Sequence, residues 1–285
     1  MPKLDRDGVK IHYEVHGKGP VILLTHGYSA TSQMWQGQIE ALTKHNTLVI
    51  WDMRGHGRSD YPDDSIEYSA EKTIGDMVAL LDTVGAKTAI IGGLSLGGYM
   101  SLAFHAANPE RVRALLIFDT GPGFKKEDAR SAWNKRAQET AQEYETEGLA
   151  RLKRLSKEMA TATHRTVDGL ARAARGMLAQ KDSRIINSLP AIVVPTLIVV
   201  GANDTPFLAA TDYMAAKNPR REESRHSGGW ALGKSGPAAD FQRCGRQLSR
   251  SAPVVNPSRL AAQYRVCTNR GALPDRVRNL GRCKD

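Results

Sequence analysis

Five short, nearly continuous apolar runs constrain this chain more than any other feature: V-I-L-L-T at 21–25, T-L-V-I-W-D at 47–52, T-A-I-I-G-G at 88–93, V-R-A-L-L-I-F-D at 112–119 and T-L-I-V-V-G at 196–201. A strand that is apolar on both faces must have both faces covered, which is the situation of a parallel sheet packed between helices. The earlier segment K-I-H-Y-E-V at 10–15 alternates instead, as a half-buried strand does. Apolar residues recur at helical spacing from Ser32 to Leu42, from Ala70 to Val84 and from Gly97 to Asn108. Strands alternating with helices predict an α/β chain with a doubly wound, mostly parallel sheet and right-handed crossovers.

The alternation breaks once. From Lys125 to about Ile186 the sequence is helical and charge-rich with no strand candidate, and the next strand starts only after Pro195. A helical stretch between two sheet strands reads as a cap inserted over the C-terminal edge of the sheet. The expected division is a core of residues 1–121 and 187–216, a helical cap of 122–186, and a tail of 217–285 expected to be poorly ordered. The start, M-P-K-L-D-R-D-G, has no apolar leader core, and no apolar run reaches the ~18–20 residues of a membrane span, so the expectation is a cytoplasmic protein.

The run at 88–93 leads into G-G-L-S-L-G-G at 92–98, which holds Gly93-x-Ser95-x-Gly97 between a strand and a helix. A strand-to-helix turn this sharp strains the serine backbone and needs small neighbours where strand and helix nearly touch. It exposes the hydroxyl at a helix N-terminus, where the dipole favours developing negative charge. Ser95 is therefore the candidate nucleophile; the plain alternative is a glycine-rich turn with an incidental serine. A tetrahedral intermediate needs two donors for its oxyanion. The N–H of Leu96, the residue after the nucleophile, supplies one. T-H-G-Y-S at 25–29, directly after an apolar run, offers the N–H of Tyr28 as the other.

Taken together, H-G-Y at 26–28, W-D-M-R-G-H-G-R-S at 51–59, the G-L-S-L-G elbow and G-A-N-D at 201–204 resemble the α/β-hydrolase superfamily. The likeness runs over about residues 8–216 and is nearest to small capped esterases, enol-lactonases and cofactor-free haloperoxidases. It implies hydrolysis of a small carboxylic ester or lactone through a Ser-His-Asp acyl-enzyme, without metal or cofactor. A serine at position 95 separates the chain from the superfamily's dehalogenases and epoxide hydrolases, which carry Asp there. The resemblance makes Asp204 the triad acid, with Asp119 the alternative, and makes the segment holding Arg54 and His56 structural. Trp133 and Met177 are candidate walls of an acyl pocket and equally candidates for the cap's own packing.

The same resemblance calls for a strand, a Gly-His loop and a final helix some 25–30 residues beyond the acid. The sequence has none of these. The one histidine after Asp204 is His226, in R-R-E-E-S-R-H-S-G-G, which makes it the candidate base by default. Residues 217–285 also carry fifteen Lys plus Arg against five Asp plus Glu, hence all of the chain's net charge of +10, and all three cysteines. Such text is what a GC-rich gene yields when read out of frame. Shifting the reading by one base from Asn218 allows I-P-G-A-K-K-V-V-I-P-A-A-G-H-W-A-N-Q-D-Q-P, the missing strand and Gly-His loop. A frameshifted tail from about residue 218 is therefore expected, and the coding DNA around codon 217 decides it. Two rivals stand beside the hydrolase reading. One is a hydrolase-fold small-molecule binder without a working base. The other is a genuine basic extension for nucleic acid or membrane, although its scattered arginines and three aromatics do not form a nucleic-acid arm. The sequence leaves the oligomeric state open.

Overall fold

In the computed structural model, residues 2–217, 221–224 and 264–269 are described. The strands are β1 (Lys3–Arg6), β2 (Val9–Gly17), β3 (Val21–Thr25), β4 (Thr47–Trp51), β5 (Ala89–Leu94), β6 (Val112–Phe118), β7 (Thr196–Gly201), β8 (Arg221–Ser224) and β9 (Tyr264–Asn269). They form one sheet in the order β1-β2-β4-β3-β5-β6-β7-β9-β8. The five central strands, β4, β3, β5, β6 and β7, run parallel, and they are the five apolar runs. Both flanks are antiparallel.

Side chains alternate across each strand, so neighbouring residues enter different cores. Ile22, Leu24, Leu48, Ile50, Ile90, Leu116 and Phe118 pack on one face with Trp35. Leu23, Val49, Ile91, Leu115 and Ile117 pack on the other with Met77, Leu80, Met100 and Phe104. The helices of that second face are α2 (Ala70–Thr83) and α3 (Leu96–Ala107). The Ser69 side chain accepts the Lys72 N–H and caps α2, whose buried face follows helical spacing through Thr73, Met77, Leu80 and Leu81.

Between Ser32 and Leu42 the predicted helix is a 3-10 segment, Ser32–Gln38, running into the one-turn α1 (Ile39–Leu42). Between β6 and β7 the chain is helical, with α4 (Glu127–Glu147), α5 (Lys157–Ala160), α6 (Val167–Ala173) and α7 (Arg184–Ser188). Helix α8 (Thr205–Lys217) follows β7. Three strands, β1, β8 and β9, fall where the sequence reading expected none. Strand β9 pairs with β7, and β8 pairs with β9. An antiparallel flank needs no continuous apolar run, and the β-prone Y-R-V-C-T-N covers backbone groups that β7 would otherwise leave as an open edge.

Candidate active site

The C-terminal ends of β3, β5 and β6 meet at Ser95, and β7 lies beside β6. This residue joins β5 to α3 with φ +52° and ψ −116°, a backbone conformation L-residues rarely adopt. Its N–H donates to the Phe118 carbonyl at 2.9 Å and its carbonyl accepts the Tyr99 N–H at 3.0 Å, so both sides of the turn are held. The glycines around it have no room for a side chain. A Cβ on Gly93 would stand 2.5 Å from the Gly97 carbonyl carbon and 2.6 Å from the Thr25 oxygen, and one on Gly97 would run into the Thr25 carbonyl. Strain of this kind persists only where surrounding contacts over-determine it, as they do here.

The loop after β3 lies against the elbow: a Cβ on Gly27 would be 3.1 Å from Leu94 Cδ2 and 3.6 Å from Ser95 Cβ. The Gly27 carbonyl accepts two hydrogen bonds, from His26 Nδ1 at 2.7 Å and from the Ala30 N–H at 3.1 Å. C=O and N–H point in opposite directions across a planar trans peptide. These two bonds therefore turn the Tyr28 N–H away from His26 and Ala30. Tyr28 is only 8% exposed, yet its N–H makes no hydrogen bond among the described residues. Leu96 opens α3, so its N–H has no intrahelical acceptor. Buried amides are rarely left unpaired. Two of them flanking a half-buried serine hydroxyl can take up the charge of a tetrahedral intermediate.

Three buried or mostly buried histidines surround this loop, and none is free to act on Ser95. His26 donates from Nδ1 to Gly27 and accepts the Met53 N–H at Nε2, 3.0 Å away. His56 donates from Nδ1 to the Arg54 carbonyl at 3.0 Å and accepts the Ser29 N–H at 3.3 Å. His164, from the helical insertion, accepts the Gly57 N–H at Nδ1 and donates from Nε2 to the Ser29 carbonyl, at 3.2 and 3.1 Å. Burial holds all three rings neutral: His26 is shifted down, His56 well down, and His164 to about 4. The rest of the 51–59 segment is also fully engaged. Asp52 accepts the Ser32 and Arg58 N–H groups, and buried Arg54 forks onto Asp76 at 2.7 and 2.8 Å and reaches Glu67.

On the other side of the site, Asp204 closes the turn between β7 and α8. Its N–H donates to the Gly201 carbonyl at 2.9 Å and its own carbonyl accepts the Phe207 and Leu208 N–H groups. Half-buried, its carboxyl is raised by desolvation, and no side-chain hydrogen bond reaches it among the described residues. Asp119 ends β6, between the strands of Ser95 and Asp204, with φ +40°. Its N–H donates to the Val199 carbonyl at 2.9 Å, and its Oδ1 accepts the Gly201 N–H at 2.7 Å. Asp119 thereby anchors the strand end from which the Asp204 turn departs.

The structure brings Ser95, Tyr28 and Leu96 together and puts Asp204 at the same sheet edge. His226 lies outside the described residues. Met177 is buried in the larger core, and the Trp133 ring donates to the Leu178 carbonyl at 2.7 Å and stacks near Phe124, so both pack the insertion. Sequence reasoning passed over Ser29, Tyr144 and His164. Tyr144 donates to Ser29 Oγ at 2.7 Å across 115 positions, a meeting with no local signal in either segment. Among the described residues, no group of three or more His, Cys, Asp or Glu side chains could hold a metal ion, and no helix is long and apolar enough to cross a membrane.

Residues 20–170 match the α/β hydrolase fold family, and the chain belongs to it. It is 36% identical over 119 residues to a carbamate hydrolase of Azorhizobium caulinodans, covering 41% of this chain and 43% of that protein. It is also 36% identical over 118 residues to the bifunctional epoxide hydrolase 2 of Sus scrofa, covering 41% and 21% respectively. The chain thus spans less than half the length of these curated relatives. Among solved structures, an esterase of Thermogutta terrifontis superposes with a TM-score of 0.62 at 25% identity, over 77% of this chain and 87% of that one. The enol-lactonase of Burkholderia xenovorans shares the fold at a TM-score of 0.60 and 21% identity, over 86% and 96%.

Proposed function

We propose that the chain is built as a serine hydrolase for a small carboxylic ester or lactone. One observation carries the reading: a serine held in a left-handed elbow stands against a loop whose buried Tyr28 N–H has no acceptor among the described residues. Ser95 Oγ attacks the substrate carbonyl carbon, and the carbonyl oxygen, taking the electron pair, is held by the Tyr28 and Leu96 N–H groups. The Ser95 proton passes to a base and from there to the leaving alkoxide; water then repeats the sequence on the acyl-enzyme. Asp204 is the acid that orients the base, and burial raises its carboxyl. The serine also argues for ester or lactone chemistry over the epoxide chemistry in the names of some relatives. The helical insertion is the cap.

A second reading rests on the histidines. His26, His56 and His164 have both nitrogens committed, so the described part of the site holds no base for Ser95. His226 either supplies it or the chain is a binder with residual activity. The experiment is hydrolysis of p-nitrophenyl acetate together with labelling by a fluorophosphonate. Turnover and labelling that disappear in Ser95→Ala support the serine hydrolase; turnover indifferent to that change overturns it. If His226→Ala leaves Ser95-dependent turnover intact, His226 is not the base.

A further inference from the structure

We propose that the helical insertion aims the oxyanion hole: Tyr144 and His164 act as positioning residues that lock Ser29 in a left-handed turn and thereby orient the Tyr28 N–H. The proposal rests on the Ser95 reading above and concerns residues that touch no reacting atom.

The argument starts from one bond. Ala30 N–H reaches back to the Gly27 carbonyl at 3.1 Å, closing a β-turn over Gly27, Tyr28, Ser29 and Ala30. Ser29, third in that turn, has φ +61°, whereas Tyr28 is absent from the positive-φ residues. This is the pattern of a type II turn, whose third position ordinarily takes glycine or asparagine. A serine there is strained by about 1 kcal/mol and has to be held.

The hold is complete. Ser29 is 1% exposed, and its N–H, carbonyl and hydroxyl are each bonded: the N–H to His56 at 3.3 Å, the carbonyl to His164 at 3.1 Å, the hydroxyl to Tyr144 at 2.7 Å. Two of the three partners come from the insertion, 115 and 135 positions away. The Gly57 N–H at His164 Nδ1 fixes the tautomer that presents Nε2–H to Ser29. The Tyr28 hydroxyl donates to the Leu170 carbonyl on α6 at 2.7 Å, and its ring packs edge-on against Tyr144 and His56. If Ser29 is released from these partners and the turn opens, Ala30 swings away and the Gly27 carbonyl loses one of its two donors. The Gly27–Tyr28 peptide can then rotate, taking the oxyanion donor with it.

Tyr144→Phe removes one hydroxyl, His164→Ala removes the carbonyl's donor, and Ser29→Gly keeps the turn while deleting the anchor. Each is assayed with p-nitrophenyl acetate and with its thionoester, whose sulfur uses oxyanion donors poorly. The expected result for Tyr144→Phe and for His164→Ala is a fall of about tenfold in kcat for the oxoester, little change for the thionoester, and KM nearly unchanged. A merely structural role would lower both substrates together, and that outcome, or no change in either, overturns the proposal. Amide hydrogen exchange at Ala30, read without any substrate, should speed up in both variants; unchanged exchange also overturns it. Unmodified protein without Ser95-dependent turnover instead overturns the serine-hydrolase reading, and exchange at Ala30 then still decides whether the insertion holds the turn.

Discussion

The two halves of the site are built differently. On the β3–β5 side, the elbow and the 27–30 turn are tied from several directions: Ser95 N–H to Phe118, the Gly27 carbonyl to two donors, Ser29 to three partners. On the β7 side, the Asp204 backbone is tied into its turn but its carboxylate has no hydrogen-bond partner among the described residues. The contacts of the first half lie within residues 25–170, whereas among the described residues no side chain reaches the Asp204 carboxylate. In the proposed mechanism, nucleophile and oxyanion donors thus form a self-contained module, and the proposed acid still needs a histidine beside it.

That contrast can be broken or sharpened by measurement. Ser95→Ala should have the largest effect, on the order of 10⁴-fold in kcat for an activated ester, and a much smaller loss would show that the elbow is not the reacting half. Asp204→Asn should lower kcat about 10²-fold or more if a histidine pairs with it. Should the unmodified chain lack its base, the same change will cost almost nothing, which isolates the incomplete half. Asp119→Asn keeps an oxygen for the Gly201 N–H, so a loss of only about threefold is expected; a loss exceeding that of Asp204→Asn would reverse the two acids' roles. Gly97→Ala should lower stability by more than about 2 kcal/mol, seen as an earlier urea midpoint, because its Cβ collides with the Thr25 carbonyl.

The smallest effect is on the pH dependence of stability. His164 is held neutral down to about 4 in the folded chain, against an ordinary value near 6.5. Between these values the unfolded chain binds a proton that the folded chain refuses, so stability is full above about pH 6.5 and declines as the pH falls toward 4. His26 and His56, shifted the same way, add to the decline. Urea titrations should show His164→Ala flattening that slope by roughly 1–2 kcal/mol across the window; an unchanged slope would place the acid sensitivity elsewhere.

Most of the sheet was readable from sequence because a strand covered on both faces leaves an unbroken apolar run, and 196–201 and 21–25 coincide with β7 and β3. Flanking strands were harder. K-L-D-R of β1 is short and partly exposed, and β8 and β9 hold no buried run, so periodicity gave them no signal. The elbow at Ser95 and Leu96 and the turn at Tyr28 were readable because their backbone geometry depends on neighbours within a few positions. The roles of Tyr144, His164 and Ser29 depend on contacts across more than a hundred residues, and neither T-H-R nor E-Y-E advertises them. The sequence left Asp119 and Asp204 both open as acids; the bond from the Gly201 N–H marks Asp119 as an anchoring carboxylate, a contact between strand ends that the sequence does not show.

The bond from the Tyr28 hydroxyl to Leu170 has a bearing on selectivity. If the Tyr28 N–H is the oxyanion donor proposed above, this bond makes α6 and that amide parts of one lever. A substrate slim enough to leave α6 seated meets a correctly aimed amide. A bulkier acyl group that pushes α6 outward can still bind, but it drags the amide off line and is turned over slowly. Size discrimination in such an enzyme falls on turnover more than on affinity, and poor substrates of this kind would act as its inhibitors.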